Sequence, residues 1–193
     1  MNKRILPILF IMILVLSCTK ELKKSERNWN PYTMNEVLVF ESSEKQLDTI
    51  VIEEINDNVI SASPTPELYR HKSLWVYARK LNSKNKLFSK NFILDISSST
   101  PTPDKPARIG FNLWFNNANF GSSYKLEELN KHPTMSVTTK AGTFNDVIKL
   151  KPEIYYSKRK DEVQFMYWSK KAGYIKFERA DGFTWELIKK YVP

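Results

Sequence analysis

The feature that most constrains this chain is the dipeptide Asp181-Gly182, set between two runs of strictly alternating residues. Ile175 and Phe177 alternate with Lys176 and Glu178 before it, and Phe183, Trp185 and Leu187 alternate with Thr184 and Glu186 after it. Period-two alternation gives each strand one apolar face, and Asp-Gly tolerates the positive φ that a tight hairpin turn requires. The pattern extends backwards through a turn at Lys170–Gly173, so Val163–Ser169, Tyr174–Glu178 and Phe183–Lys189 read as a three-strand meander with Phe177, Trp185 and Leu187 turned into a core.

The same grammar recurs upstream. Met135–Thr139 and Thr143–Leu150 flank Ala141-Gly142, Glu36–Glu41 faces Leu47–Ile55 across Ser42–Gln46, and Leu74–Leu81 faces Leu87–Ile96 across Asn82–Lys86. Ile109–Phe115 is a further strand. In Leu74–Leu81, alternation puts Trp75, Tyr77, Arg79 and Leu81 on one face and Leu74, Val76, Ala78 and Lys80 on the other. The segments Ser61–Pro66 and Ser97–Pro106 are rich in Pro, Ser and Thr and read as loops or edge crossings, because proline removes ladder donors. One short helix is expected at Tyr124–Lys131, ahead of Pro133. The expected fold is mainly β: a single antiparallel β-sandwich or partly open barrel with at most one short helix.

The start of the chain obeys different rules. Lys3 and Arg4 precede an apolar run, Ile5–Leu16, broken only by Pro7, the charged and apolar regions of an export signal. As a helix that run spans about 18 Å, short of a hydrocarbon core about 30 Å thick. Leu14-Val15-Leu16-Ser17-Cys18 resembles the lipobox of bacterial lipoproteins, which implies cleavage after Ser17 and acylation of Cys18. The chain has a single cysteine, so no disulfide forms within it. The domain reading is residues 1–17 as signal peptide, 18–33 as a lipidated tether and 34–193 as one β-rich domain. A flexible tether from Thr19 to Asn30 has a reach of about 20 Å, and its Lys20, Lys23, Lys24 and Arg27 suit a solvated linker near anionic head groups. Thr19, where a retention signal would place aspartate, points to the outer rather than the inner membrane.

A second resemblance rests on Tyr167-Trp168-Ser169-Lys170-Lys171, Gly173–Glu178 and Asp181–Leu187, with Asn35–Phe40, Asp48-Thr49-Ile50, Ser136–Thr139 and Phe144–Val147 in support. These segments look like those of small uncharacterised lipoproteins from Bacteroidota-type bacteria. The resemblance implies a β-rich envelope protein and transfers no activity.

The residue inventory weighs against most chemistries. The formal net charge of +9 falls by two when Lys3 and Arg4 are removed, and the basic residues are scattered without a nucleic-acid motif, so no nucleic-acid partner is expected. His71 and His132 are the only histidines, one read in a polar loop and one at a helix end, too few for a Cys/His metal set. Five widely spaced glycines exclude a phosphate-cradling loop, and no cofactor is expected. Glu53-Glu54 and Glu127-Glu128 are adjacent carboxylates, but strand neighbours point to opposite faces. Asn56-Asp57-Asn58 reads as a turn. Aromatic residues form 13% of the chain, with Tyr155-Tyr156, Tyr167-Trp168 and Trp185 near the C-terminal sheet, where alternation assigns about half of the rings to core. The inventory favours a non-catalytic binding or assembly module, held to the membrane through Cys18 and meeting an envelope protein or glycan. A carboxylate hydrolase acting on envelope polymers and a carrier of hydrophobic ligands are the alternatives.

Overall fold

The computed structural model describes residues 19–61, 70–81, 90–101, 104–115, 118–152 and 162–193. Residues 1–17 and Cys18, the Ser61–Pro66 segment beyond Ser61, the Asn82–Lys86 connection and Tyr155-Tyr156 lie outside them. The chain is mainly β, as expected, and forms a curled antiparallel sheet, a half-barrel.

Two consecutive meanders build it. The first comprises β2 (Val37–Ser42), β3 (Leu47–Ser61), β4 (Arg70–Lys80), β5 (Lys90–Ser97), β8 (Arg108–Phe115) and β9 (Ala118–Lys125). The second comprises β10 (Met135–Thr139), β11 (Gly142–Leu150), β12 (Val163–Ser169), β13 (Gly173–Arg179) and β14 (Thr184–Tyr191). Pairing of β14 with β2 fuses them into one sheet in the order β10-β11-β12-β13-β14-β2-β3-β4-β5-β8-β9. A ribbon of two-residue strands, β6 (Thr100–Pro101) and β7 (Asp104–Lys105), occupies the proline-rich crossing. The meander expected at the C-terminus is present with both of its turns.

Curling turns one face of every strand inward, and aromatic rings fill the hollow. Phe115 lies at its centre, stacked on Trp185 with ring centroids 4.8 Å apart and meeting Phe40 at 5.0 Å and Phe177 at 5.2 Å. Phe177, Trp185 and Leu187 are buried, as the alternation predicts. Tyr174 crosses the hollow from β13. Its hydroxyl donates to the Ile93 carbonyl at 2.6 Å and accepts the Asn112 N–H at 3.1 Å, just where β5 and β8 cease to pair. Tyr174→Phe should strand both backbone groups in the interior and cost about 1–3 kcal/mol, read as a lower urea midpoint.

Several local expectations are corrected. Residues 18–33 are not a free tether from Thr19 onward. Thr19–Lys20 form β1, parallel to Arg70–His71 of β4, and a one-turn helix α1 (Lys24–Arg27) follows, so the described residues hold two short helices rather than one. The other, α2, runs over Leu126–Lys131, connects β9 to β10 in the chain, and buries Leu126 and Leu129. Leu22, Trp29 and Tyr32 of the N-terminal segment sink into the core, Arg27 forks onto Asp57 at 2.8 and 2.9 Å, and Lys190 holds the Pro31 carbonyl at 3.3 Å. The segment is a strap across the open hollow, because the apolar surface exposed by an incompletely closed sheet needs cover.

Asn56-Asp57-Asn58 is not a turn but the middle of β3, paired with Trp75, Leu74 and Ser73; cross-strand pairing outweighs its turn propensity. His71 lies in β4 rather than in a loop. β9 stands where no strand was expected, its Gly, Ser and Asn content masking a full ladder with β8.

Candidate binding surface

The outer face of β3, β4 and β5 carries a cluster of three aromatic rings, Phe92 exposed and Trp75 and Tyr77 half-buried. Residues paired across an antiparallel ladder point to the same side. Asn56, Trp75 and Asp95 are register partners, and one step along so are Glu54, Tyr77 and Phe92. The aliphatic alternates Leu74, Val76 and Ala78 go to the core, leaving the rings outside. Trp75 lies 6.0 Å from Tyr77 and 6.1 Å from Phe92, ring centre to ring centre, and Phe92 is 38% exposed. A β-bulge places the extra residue Ile93 of β5 opposite the Val76–Tyr77 step and brings Phe92 beside both rings.

Polar groups frame this strip. The Lys90 ammonium stands 5.1 Å from the centre of the Tyr77 ring and pairs with Glu54, to which Asn56 also donates. Arg79, the register partner of Lys90, pairs with Glu53. The bulge between Ile52 and Glu54 therefore turns both adjacent carboxylates toward one face, correcting the expectation that they diverge, and each meets a cation. At the other side Asp95 folds over Gly110, where a Cβ would collide with its carboxylate. Flat rings bordered by carboxylate and amide acceptors make a surface for a ligand with alternating apolar and hydroxylated faces.

Burial holds the Asp95 carboxyl above its ordinary value of 3.8, with Arg108 acting in the opposite direction. The folded state then binds more protons than the unfolded chain between 3.8 and the raised value, so this group's contribution to stability falls as pH rises through that window. Asp95→Asn should remove that fall, leaving the variant more stable relative to wild type at pH 7 than at pH 3.5, as read by urea titration at both values.

The other residues singled out in the sequence are dispersed. His132 follows α2, with Nδ1 3.3 Å from the Pro133 carbonyl, while His71 is on β4. Glu128 pairs with Lys125 at 2.8 Å. Tyr167, Trp168 and Trp185 are core, and Tyr167 donates to Glu178 at 2.8 Å. Among the described residues no His, Cys, Asp and Glu side chains cluster as a metal site, and no helix is long and apolar enough to cross a membrane. Alternation in the sequence places Trp75 and Tyr77 on the face opposite Leu74, Val76 and Ala78, but it gives no signal that Phe92 joins them.

The strap adds a second geometric fact. It is tied down from its first described residue: Thr19 pairs with Arg70 and Lys20 with His71, the Lys20 carbonyl accepts from Ser98 Oγ at 3.3 Å, and Glu21 meets Lys72 at 2.8 Å. Tyr77 lies six residues along β4 from His71, about 20 Å at roughly 3.4 Å per residue.

No family model matches this chain, and no similar curated protein or solved structure was found.

Proposed function

We propose that this chain is a cell-envelope protein anchored by a lipid on Cys18, in the outer membrane by preference, and that it acts as a non-catalytic module binding an envelope glycan. The outward-facing strip Trp75–Tyr77–Phe92, bordered by Asn56 and Asp95, carries this reading. The rings packed into the concave hollow argue against a carrier, since they occupy the space a hydrophobic ligand would take. The pairing of Glu53 with Arg79 and of Glu54 with Lys90 argues against a hydrolase built on those carboxylates. With the strap folded from Thr19, an acyl anchor one residue earlier keeps the β1 end of the domain at the head groups and stands the strip about 20 Å away.

The anchor and the strip are separately testable. Cys18→Ala should abolish fatty-acid labelling and lipoprotein-type cleavage, whereas a protein beginning at Thr19 behind an ordinary secretory signal should appear in the soluble fraction. Retention of that protein in membranes after a high-salt wash would sink the claim that the lipid is the anchor. For the strip, titration of soluble peptidoglycan fragments should show Trp75→Ala and Phe92→Ala each weakening binding at least about tenfold. Equal affinity in wild type and both variants would reject the strip as the binding surface.

A further inference from the structure

On the concave side, remote from the aromatic strip, a cleft of about 250 Å³ opens between the strap, α2 and the β11–β12 pair. Trp29, Leu129, Ile148 and Trp168 form its floor, each no more than 4% exposed. Three segments far apart in sequence thus contribute one apolar base.

Lys170 and Lys171, in the turn after β12, stand at the rim. The Lys170 ammonium lies 4.4 Å from the centre of the Trp29 ring, and among the described residues neither lysine's ammonium group pairs with a carboxylate. The one carboxylate lining the cleft, Asp146, accepts from Ser169 Oγ at 2.6 Å and from the Lys171 backbone N–H at 3.1 Å. In the floor the Trp168 indole N–H is buried without an acceptor. The cleft therefore has hydrogen-bond donors and positive charge in excess above an apolar base.

We infer that this cleft binds a small amphipathic anion: a single carboxylate carried on an apolar or aromatic group. The apolar part is buried against Ile148 and Leu129, while the carboxylate stays at the mouth within reach of the Lys170 and Lys171 ammonium groups. A free organic acid and the C-terminal carboxylate of a peptide share this chemistry. The site is independent of the outer strip.

The test uses full-length protein in lipid nanodiscs, titrated with 3-phenylpropionate, with N-acetyl-glycyl-phenylalanine and with the amide of each. The readouts are calorimetry and the indole N–H resonances, assigned by Trp-to-Phe replacement. The acids should shift the Trp29 and Trp168 signals and leave Trp75 in place, and the amides should bind at least tenfold more weakly. Combined Lys170→Gln and Lys171→Gln should lower acid affinity at least tenfold with an unchanged melting temperature, while Phe92→Ala should have no effect. Tighter binding of the peptide acid supports a peptide C-terminus as the source, and tighter binding of phenylpropionate supports a free acid. Amides that bind as well as acids, a lysine double variant that binds normally, or no shift at Trp29 and Trp168 would each overturn the assignment.

Discussion

Trp185→Ala is expected to lower the stability of the domain by about 3–5 kcal/mol, the range typical for removing a large buried aromatic side chain. Trp185 is 1% exposed and lies nearly parallel to Phe115, with an interplanar angle of 12°. Phe115 in turn meets Phe40 and Phe177, so a void at position 185 removes the stacking partner of the ring that ties β2, β8 and β13 together. The position is also structural in a second sense. In the ladder Trp185 pairs with Phe177 on one side and Ser42 on the other, at the seam where β14 joins the two meanders. Small rearrangements cannot refill a hole bounded by two ladders. Urea denaturation should show the midpoint falling with little change in slope, and the melting temperature should drop by on the order of 10 °C. A shift of less than about 2 °C would mean that the ring does not carry the core.

Gly173→Ala should cost about 2–4 kcal/mol, although it adds one methyl group at the end of a turn. Gly173 has φ of +88°, a region that disfavours a side chain by about 1–2 kcal/mol. A Cβ there would also collide with the phenol of Tyr32. Tyr32 cannot give way freely: its hydroxyl accepts the Tyr174 N–H at 3.0 Å, and its ring packs edge-on against Trp168 at 6.0 Å. Displacing it breaks a buried hydrogen bond, worth about 1–3 kcal/mol when one partner is left unpaired, and lifts the strap. Gly182→Ala is the natural control, because Gly182 has φ of +84° with open space around its missing Cβ. It should cost only the backbone part. The difference between the two variants measures strap seating, and trypsin cleavage after Lys23 or Lys24 should accelerate in Gly173→Ala alone. Equal stability and equal cleavage in both would show that Tyr32 does not lock the strap.

The hairpins were legible wherever alternation coincided with a turn that demands particular residues. Asp181-Gly182 and Ala141-Gly142 both mark observed turns, and Gly142 and Gly182 adopt the positive φ that such turns use. The failures share one physical cause. Asn56-Asp57-Asn58 has turn propensity, but β4 offers it a continuous ladder and Arg27 takes the Asp57 carboxylate, so long-range partners outweigh the local preference. In the strap, Leu22, Trp29 and Tyr32 are scattered among polar and charged neighbours, too sparse to mark a buried face; only a groove already built by distant strands makes them core.

For the candidate surface the division falls differently. Local chemistry put Trp75 and Tyr77 on the face opposite Leu74, Val76 and Ala78. It offered no reason to join them to Phe92, which arrives through the β4–β5 register and its bulge. The C-terminal rings that composition made conspicuous, Tyr167, Trp168 and Trp185, became core because the sheet curls over them.

By itself, then, the sequence determined the β class, the positions of the tight turns and which face of each C-terminal strand is apolar, since these follow from side-chain periodicity and backbone preferences within a few residues. The tertiary structure decided that the sheet closes only halfway, that the segment after Cys18 covers the opening, and that Phe92 of β5 comes to lie beside Trp75 and Tyr77 of β4 on the outer face. Those outcomes depend on register and curvature summed over strands distant in the chain, and a residue's local neighbours carry no record of them.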